Sequence, residues 1–221
     1  MSAKPPIKTC LYIDGFNLYY GALKDTPYKW INPMLLAERL FPRNEIISIK
    51  FCSARISPLP GNPDAPTRQQ IYWRALRTIP NLEIVEGYFR CRPKRMKVVK
   101  PPPRTIEVFN TEEKGSDVNL ASHLLLDAFR NRFDAAIVIS GDSDLLTPIR
   151  MVRDQMGKAV GVINPQLTSG PYKRANKRGS AGLKQAASFY RSELSNSQVS
   201  GSVFPNTLTD AQGAFHKPAT W

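Results

Sequence analysis

Short apolar runs alternate along this chain with longer stretches of helical period, and clusters of turn residues separate them. Ile7 to Ile13 is apolar and rich in β-forming residues, and it predicts a first strand that ends at Asp14. Phe16 to Leu23 has room for a helical turn or two. Asn32-Pro33 has the form of an N-cap followed by proline at the first helical position, which opens a helix to about Leu40. Glu45 to Ile56 alternates and carries β-branched residues, so it reads as a second strand. Ser57 to Pro66 is rich in Pro, Gly and Asn and predicts a loop. Thr67 is the expected cap of a helix to Ile79, stopped by Pro80-Asn81. Leu82 to Phe89 predicts a third strand.

Further on, Ser116 to Asn131 is amphipathic, with Val118, Leu120, Ala121, Leu124, Leu125 and Phe129 at helical spacing. Asp134 to Ile139 is an apolar strand. Asp142 or Ser143 caps the next helix, which runs to Met156 and ends at Gly157 as a left-handed cap. Lys158 to Ile163 is the last parallel strand expected, and Leu183 to Leu194 is expected to be helical. Strands alternating with helices predict an α/β fold with a central, mainly parallel sheet and right-handed crossovers. The pattern weakens after Pro165. That divides the chain into a domain over residues 1–165 and a basic, partly helical C-terminal extension over residues 166–221. Ser195 to Trp221 is rich in Ser, Pro and Gly, with scattered aromatics suited to clipping onto the domain.

The length of 221 residues and 42% hydrophobic content suffice for one α/β domain with a core, plus a tail. The formal net charge of +13 changes the picture, because excess Lys and Arg raise affinity for polyanions through counterion release. Arg90 to Arg104 concentrates that charge: seven basic residues, no acidic ones and four prolines, between β-like flanks at Glu83 to Phe89 and Thr105 to Phe109. It predicts an extended basic hairpin or flap, with Tyr88 and Phe89 beside it to stack on a base. Tyr172, Lys173, Arg174, Lys177 and Arg178 form a second basic cluster. Cys10, Cys52 and Cys91 have no paired spacing, which argues against a zinc site and for a reducing compartment. No run reaches membrane-spanning length and the N-terminus lacks the apolar core of a signal peptide, so the expected location is cytoplasmic, with no membrane partner.

The chemistry lies in four aspartates. Asp14 follows a strand, Asp117 opens a helix after Lys114-Gly-Ser, and Asp142 and Asp144 follow the Ala135 to Ile139 strand in Ser140-Gly-Asp-Ser-Asp. Singly, each has the form of an ordinary turn or N-cap. Together they place carboxylates at the carboxyl edge of a sheet, where ligands bind at a topological switch point. Convergent carboxylates repel one another unless a cation joins them, and hard cations such as Mg²⁺ prefer oxygen ligands. On a basic protein this points to phosphodiester hydrolysis with Mg²⁺ or Mn²⁺. Asn17, three residues past Asp14, can return to the site as an amide ligand or orienter, and Ser140 and Ser143 flank Asp142 as hydrogen-bonding neighbours. Nothing reads as a Ser-His-Asp triad, and neither Gly-x-Gly-x-x-Gly nor a P-loop is present.

Tyr12-Ile-Asp-Gly-Phe-Asn-Leu18, Lys114-Gly-Ser-Asp-Val118 and Ile139-Ser-Gly-Asp-Ser-Asp-Leu145 resemble, in order, the three motifs of the NYN domain, a family related to the PIN-domain ribonucleases. The resemblance spans roughly residues 7 to 165. It implies a PIN-like three-layer α/β/α sandwich and Mg²⁺- or Mn²⁺-dependent RNA cleavage, with Asp14, Asn17, Asp117, Asp142 and Asp144 at the family's acidic-site positions. One position departs from the pattern. Many members carry a further Asp on the helix after the second motif, near the place of His123 here. The RNA, single-stranded or structured, would be gripped by Lys114, by Arg92, Lys94, Arg95 and Lys97 of the flap, and by Lys173 and Arg174. A homodimer stays open. So do two other functions: an RNA-binding NYN module that does not cleave, and a hydroxylase of the succinoylpyridine type described for some NYN-like bacterial chains.

Overall fold

The computed structural model describes residues 5–167, 169–173 and 179–221. Strands β1 (Ile7–Asp14), β2 (Asn44–Ala54), β3 (Leu82–Lys97), β4 (Thr105–Lys114), β5 (Ala135–Ile139), β6 (Ala159–Ile163) and β7 (Phe189–Arg191) form one sheet. Its order is β4-β3-β2-β1-β5-β6-β7. Every pairing is parallel except β3 with β4. Helices α1 (Gly15–Leu18), α2 (Pro33–Leu40), α3 (Ala65–Leu76), α4 (Ser116–Phe129), α5 (Leu146–Arg150), α6 (Ala181–Ala186) and α7 (Asn196–Ser200) cover its faces. A small hairpin of β8 (Thr207–Asp210) and β9 (Gly213–His216) completes the chain.

The two-residue period of the strands sorts the core into two halves. Leu11, Ile13, Ile49, Phe51, Ile137 and Ile139 face one way, onto Leu36, Trp73 and Leu76 of α2 and α3. Cys10, Tyr12, Cys52, Ala136, Val138 and Val160 face the other, onto Leu120 and Leu124 of α4, Ile149 of α5 and Leu183 of α6. Both faces are covered, so the central strands have no polar side, and β1 is buried from Thr9 to Asp14. The result is the three-layer α/β/α sandwich with a mainly parallel sheet.

Local chemistry explains most boundaries. Asn32 Oδ1 accepts from the N–H groups of Met34 (2.9 Å) and Leu35 (3.2 Å), and Pro33 begins α2. After a π-type turn at Met151–Gln155, Gly157 takes φ +65°. The helix expected from Thr67 begins earlier, at Ala65, because Pro66 sits in its first turn, where its missing N–H has no cost. Leu183 to Leu194 is not one helix. α6 ends at Ala186, and Phe189–Arg191 becomes β7. Sheet pairing overrides helical period there: β7 lies parallel to β6, with Ser188 N donating to Val160 O (2.8 Å) and Asn164 N to Arg191 O (2.9 Å). The strand at Lys158 to Ile163 is therefore not the last in the sheet.

The C-terminal segment carries part of the core. Trp30 is fully buried, its Nε1 donates to the Pro205 carbonyl (2.8 Å), and its ring meets Phe204 and Trp221. Arg74 grips Asp210 through two bonds of 2.7 Å and covers the Phe215 ring at 4.2 Å. Phe204→Ala should therefore lose about 3–5 kcal/mol of stability in urea unfolding. Phe129→Ala, at a ring 79% exposed, should change it by no more than about 0.5 kcal/mol.

Candidate active site

β1 and β5 pair in register up to Ile13 opposite Ile139, so the residues that follow, Asp14 and Ser140, meet at the carboxyl edge. Sequence order runs from β1 to β2 on one side and reaches β5 on the other, which makes this the switch point of the sheet. Ser140 Oγ donates to Asp14 Oδ2 (3.0 Å). Asn17 donates twice to Asp14, from its backbone N–H to Oδ1 (2.8 Å) and from Nδ2 to Oδ2 (2.6 Å). Asn17 Oδ1 in turn accepts from Gly141 N (3.2 Å), which ties α1 to the loop after β5. Asp142 N donates to Ser140 Oγ (3.1 Å), and Asp142 Oδ1 caps the following turn by accepting from Asp144 N (2.9 Å). Asn17, Asp14, Ser140, Asp142 and Asp144 thus form one hydrogen-bonded chain across two loops.

Asp117 joins this edge from α4. β3 and α4 approach closely there. A Cβ on Gly87 would stand 2.6 Å from Lys114 O and 3.1 Å from Ser116 N, so a side chain at Gly87 would push α4 away. Gly115 takes φ +91° to turn the chain into α4. Glu113, absent from the candidates read in the sequence, caps that helix: its Oε1 accepts from Ser116 N at 3.0 Å. The only advance signal was its place just before Lys114-Gly-Ser-Asp117.

Electrostatics shows that the carboxylates act on one another. Burial pushes the Asp117 carboxyl up to about 7, reinforced by the charges of Asp14, Asp142, Glu113 and Asp144. Burial also raises Asp14, against the hydrogen bonds from Asn17 and Ser140, and the Asp142 charge adds to the rise. The Cys52 thiol, opposite Asp14 in register, is pushed up to about 12 by burial and then by Asp14 and Asp117. A cation would relieve this repulsion, and the donors are all hard oxygens. Among the described residues, however, no three His, Cys, Asp or Glu side chains already converge as a metal cage.

The remaining candidates spread outward. Ser143 and Asp144 are exposed on the capped turn. Lys114 is exposed and pairs with Glu112 at 3.4 Å. The flap is a true hairpin: β3 continues to Lys97 and pairs with β4 from Tyr88 opposite Lys114 to Lys97 opposite Thr105. Strand alternation puts Arg92 and Lys94 on one of its faces and Arg95 and Lys97 on the other, all four exposed. Lys173 is exposed in a turn closed by its N–H to Gly170 O (3.3 Å), while Arg174, Lys177 and Arg178 lie outside the described residues. His123 is half-buried on α4, near Glu83, whose carboxyl is held below its ordinary value chiefly by the hydrogen bond from Lys50, and which lies two residues before the β3 position that shares Asp14's register. A cavity of about 610 Å³, not foreseen from the sequence, opens beside the acidic edge, with Gly15 and Phe16 in its wall.

The class of protein follows from this arrangement and its match. The chain belongs to the NYN domain family, whose model matches residues 8–179, and it has that family's nuclease-like fold. It is 29% identical to the 6-hydroxy-3-succinoylpyridine 3-monooxygenase HspA of Pseudomonas putida, over 98% of this chain and 76% of that protein. A crystal structure of a protein of unknown function from Vibrio parahaemolyticus shares the fold, with a TM-score of 0.53 at 16% identity, over 89% of this chain and 98% of that one. Among the described residues no helix is long and apolar enough to cross a membrane.

The raised Asp117 carboxyl has a stability consequence. Its folded value lies above the ordinary 3.8, so its contribution is fully present below about pH 4 and is lost as pH rises toward about 7. Asp117→Asn should match wild type in Tm near pH 4 and exceed it above pH 7 without added metal. Half-exposure screens the effect, and a gain of about 2–4 °C, near 1 kcal/mol, is expected in thermal melts. An equal gain at both pH values would mean that neither burial nor the neighbouring charges raise the Asp117 carboxyl.

Proposed function

We propose that this chain hydrolyses RNA phosphodiester bonds with Mg²⁺ or Mn²⁺. The observation that carries this reading is the hydrogen-bonded chain of Asn17, Asp14, Ser140, Asp142 and Asp144 at the switch point of the sheet, with the Asp117 carboxyl beside it raised by burial and by those neighbouring charges. Family membership and the net charge of +13 support it. Asp14, Asp117, Asp142 and Asp144 would hold the cation, which when bound supplies positive charge to a phosphate oxygen and acidifies a water. The chain's own part is to keep those carboxylates in place. Ser140 and Asn17 fix the Asp14 plane, so Asp14 cannot rotate away without breaking three hydrogen bonds. Asp142 is held by the turn it caps. With its carboxyl raised to about 7, Asp117 would be partly protonated near neutrality, so proton and cation would compete for it, and cleavage at limiting metal should rise with pH up to about 7. Exposed Lys114 and the flap cations lie on the same hairpin, where they can hold the backbone of an entering strand.

A second reading is favoured by the alignment with HspA along nearly the whole chain. Under it the protein would hydroxylate a heteroaromatic acid, consuming O₂ and a reductant such as a reduced nicotinamide.

Two assays on the purified chain separate the readings. Labelled RNA with Mg²⁺ or Mn²⁺ should be cut, and Asp142→Asn should abolish cutting while the fold persists. Oxygen uptake that requires 6-hydroxy-3-succinoylpyridine and a reduced nicotinamide, with no RNA cleavage, would overturn the first reading in favour of the second.

The flap generates a further expectation. Each phosphate contact on a single strand contributes about 0.7 to the salt slope of binding. Because the four cations split between two faces, Arg92→Ala with Lys94→Ala should flatten the slope by up to about 1.4 if their face meets RNA. Arg95→Ala with Lys97→Ala should then leave it nearly unchanged. Unaltered slopes in both pairs would place the whole flap in solvent.

A further inference from the structure

The cavity beside the acidic edge has a composition that phosphodiester cleavage does not require. One wall is a ladder of nearly parallel rings. Tyr20 and Phe16 stack at 6.5 Å with 18° between planes, and Phe16 and Phe89 at 6.2 Å with 25°. Tyr72 and Trp221, 5.9 Å apart and steeply tilted, also line the space. Among the described residues Lys24, Lys29 and Arg68 line it, with Asp25 as the side-chain carboxylate in the wall. The Lys24 ammonium already lies 5.5 Å over the Tyr20 ring, so ring and cation occur at one place. The volume of about 610 Å³ falls in the range of small-molecule sites, and Phe16, Tyr20 and Phe89 all line it. Tyr20 is 55% exposed and so has ring surface open to a ligand.

Flat π faces select planar rings by stacking, and an excess of ammonium and guanidinium groups selects negative charge. We propose that this cavity binds a planar aromatic ring carrying an anionic group, with the ring against the Tyr20–Phe16–Phe89 ladder and the anion toward the Lys24, Lys29 and Arg68 side. Two sources share this chemistry: a nucleotide of an RNA strand with its phosphate, and a free aromatic carboxylate. The site is separate from the carboxylates of the acidic edge, although Gly15 and Phe16 follow Asp14 directly. The proposal therefore stands apart from the cleavage reading.

The full chain would be titrated with uridine 5′-monophosphate, adenosine 5′-monophosphate and pyridine-3-carboxylate. Uridine and pyridine-3-carboxamide supply the ring without the charge, and acetate and inorganic phosphate the charge without the ring. Binding would be followed by calorimetry and by tryptophan fluorescence, to which Trp73 and Trp221 in the wall contribute. At least one ringed anion should bind at least about fivefold more tightly than both of its counterparts, the lower end of what aromatic stacking is worth. Tyr20→Ala should reduce that preference for the ring, and Lys29→Ala the preference for the anion, with Tm confirming that each variant is folded. Preference for nucleotides assigns the site to an RNA base, and preference for the pyridine carboxylate assigns it to a small substrate. Equal affinity for ringed anions and their controls, or unaltered binding in both variants, would overturn the proposal. Asp142→Asn should retain this binding while losing RNA cleavage, so failure of one reading is distinguishable from failure of the other.

Discussion

Parallel pairing of β1 with β5 is the constraint on which the rest of the site depends. The two strands lie far apart in sequence, and their register brings Ile13 beside Ile139. The next residue of each chain, Asp14 and Ser140, then has no choice but to meet. Because β1 is buried along most of its length, a slip by one residue would turn Cys10 and Tyr12 onto the wrong helices and carry Asp14 to the opposite face. Core packing therefore sets the position of a polar group.

The site that results is held together by local capping and pushed apart by charge. Asp14 ends β1 and Asp142 follows β5 by three residues; each opens a helical turn and accepts a backbone N–H from it. Those hydrogen bonds stabilise ionised carboxyls, while burial and neighbouring carboxylates oppose ionisation. Asp117 receives no comparable support at the α4 N-terminus, where Glu113 takes the capping role, and so it carries the repulsion of the group. Like charges kept close and partly dry are costly in a resting protein and useful to one that recruits cations.

The chain beyond Pro165 shows a related economy of burial. β7 adds a parallel edge strand, and Val199, Phe204 and Phe215 enter the core around Trp30. Trp221 closes toward Tyr72 and so shapes the aromatic cavity next to the acidic edge. A segment with weak periodicity thus helps define a concave space beside the site.

Much of this was legible in the amino-acid order. Apolar runs ending in Asp-Gly and Ser-Gly-Asp marked strands with carboxylates at their ends, and Asn32-Pro33, Ser116 and Gly157 marked helix limits, because strand burial and capping are local physics. The basic hairpin was visible in its composition and its β-like flanks. Tertiary structure decided the rest. Phe189–Arg191 is a strand because the β6 edge offered hydrogen bonds, which no helical period in its own residues could reveal. Glu113 was overlooked because its role depends on where β4 delivers it relative to α4. The splitting of the flap cations follows from a pairing register between distant residues, and His123 acts on Glu83 because α4 lies over β3 at that level. The cavity required residues near positions 16, 72, 89 and 221 to converge, and no local signal encodes a convergence over that span. Local sequence therefore determined what each carboxylate and ring could do, while the pairing of distant strands alone determined which of them would do it together.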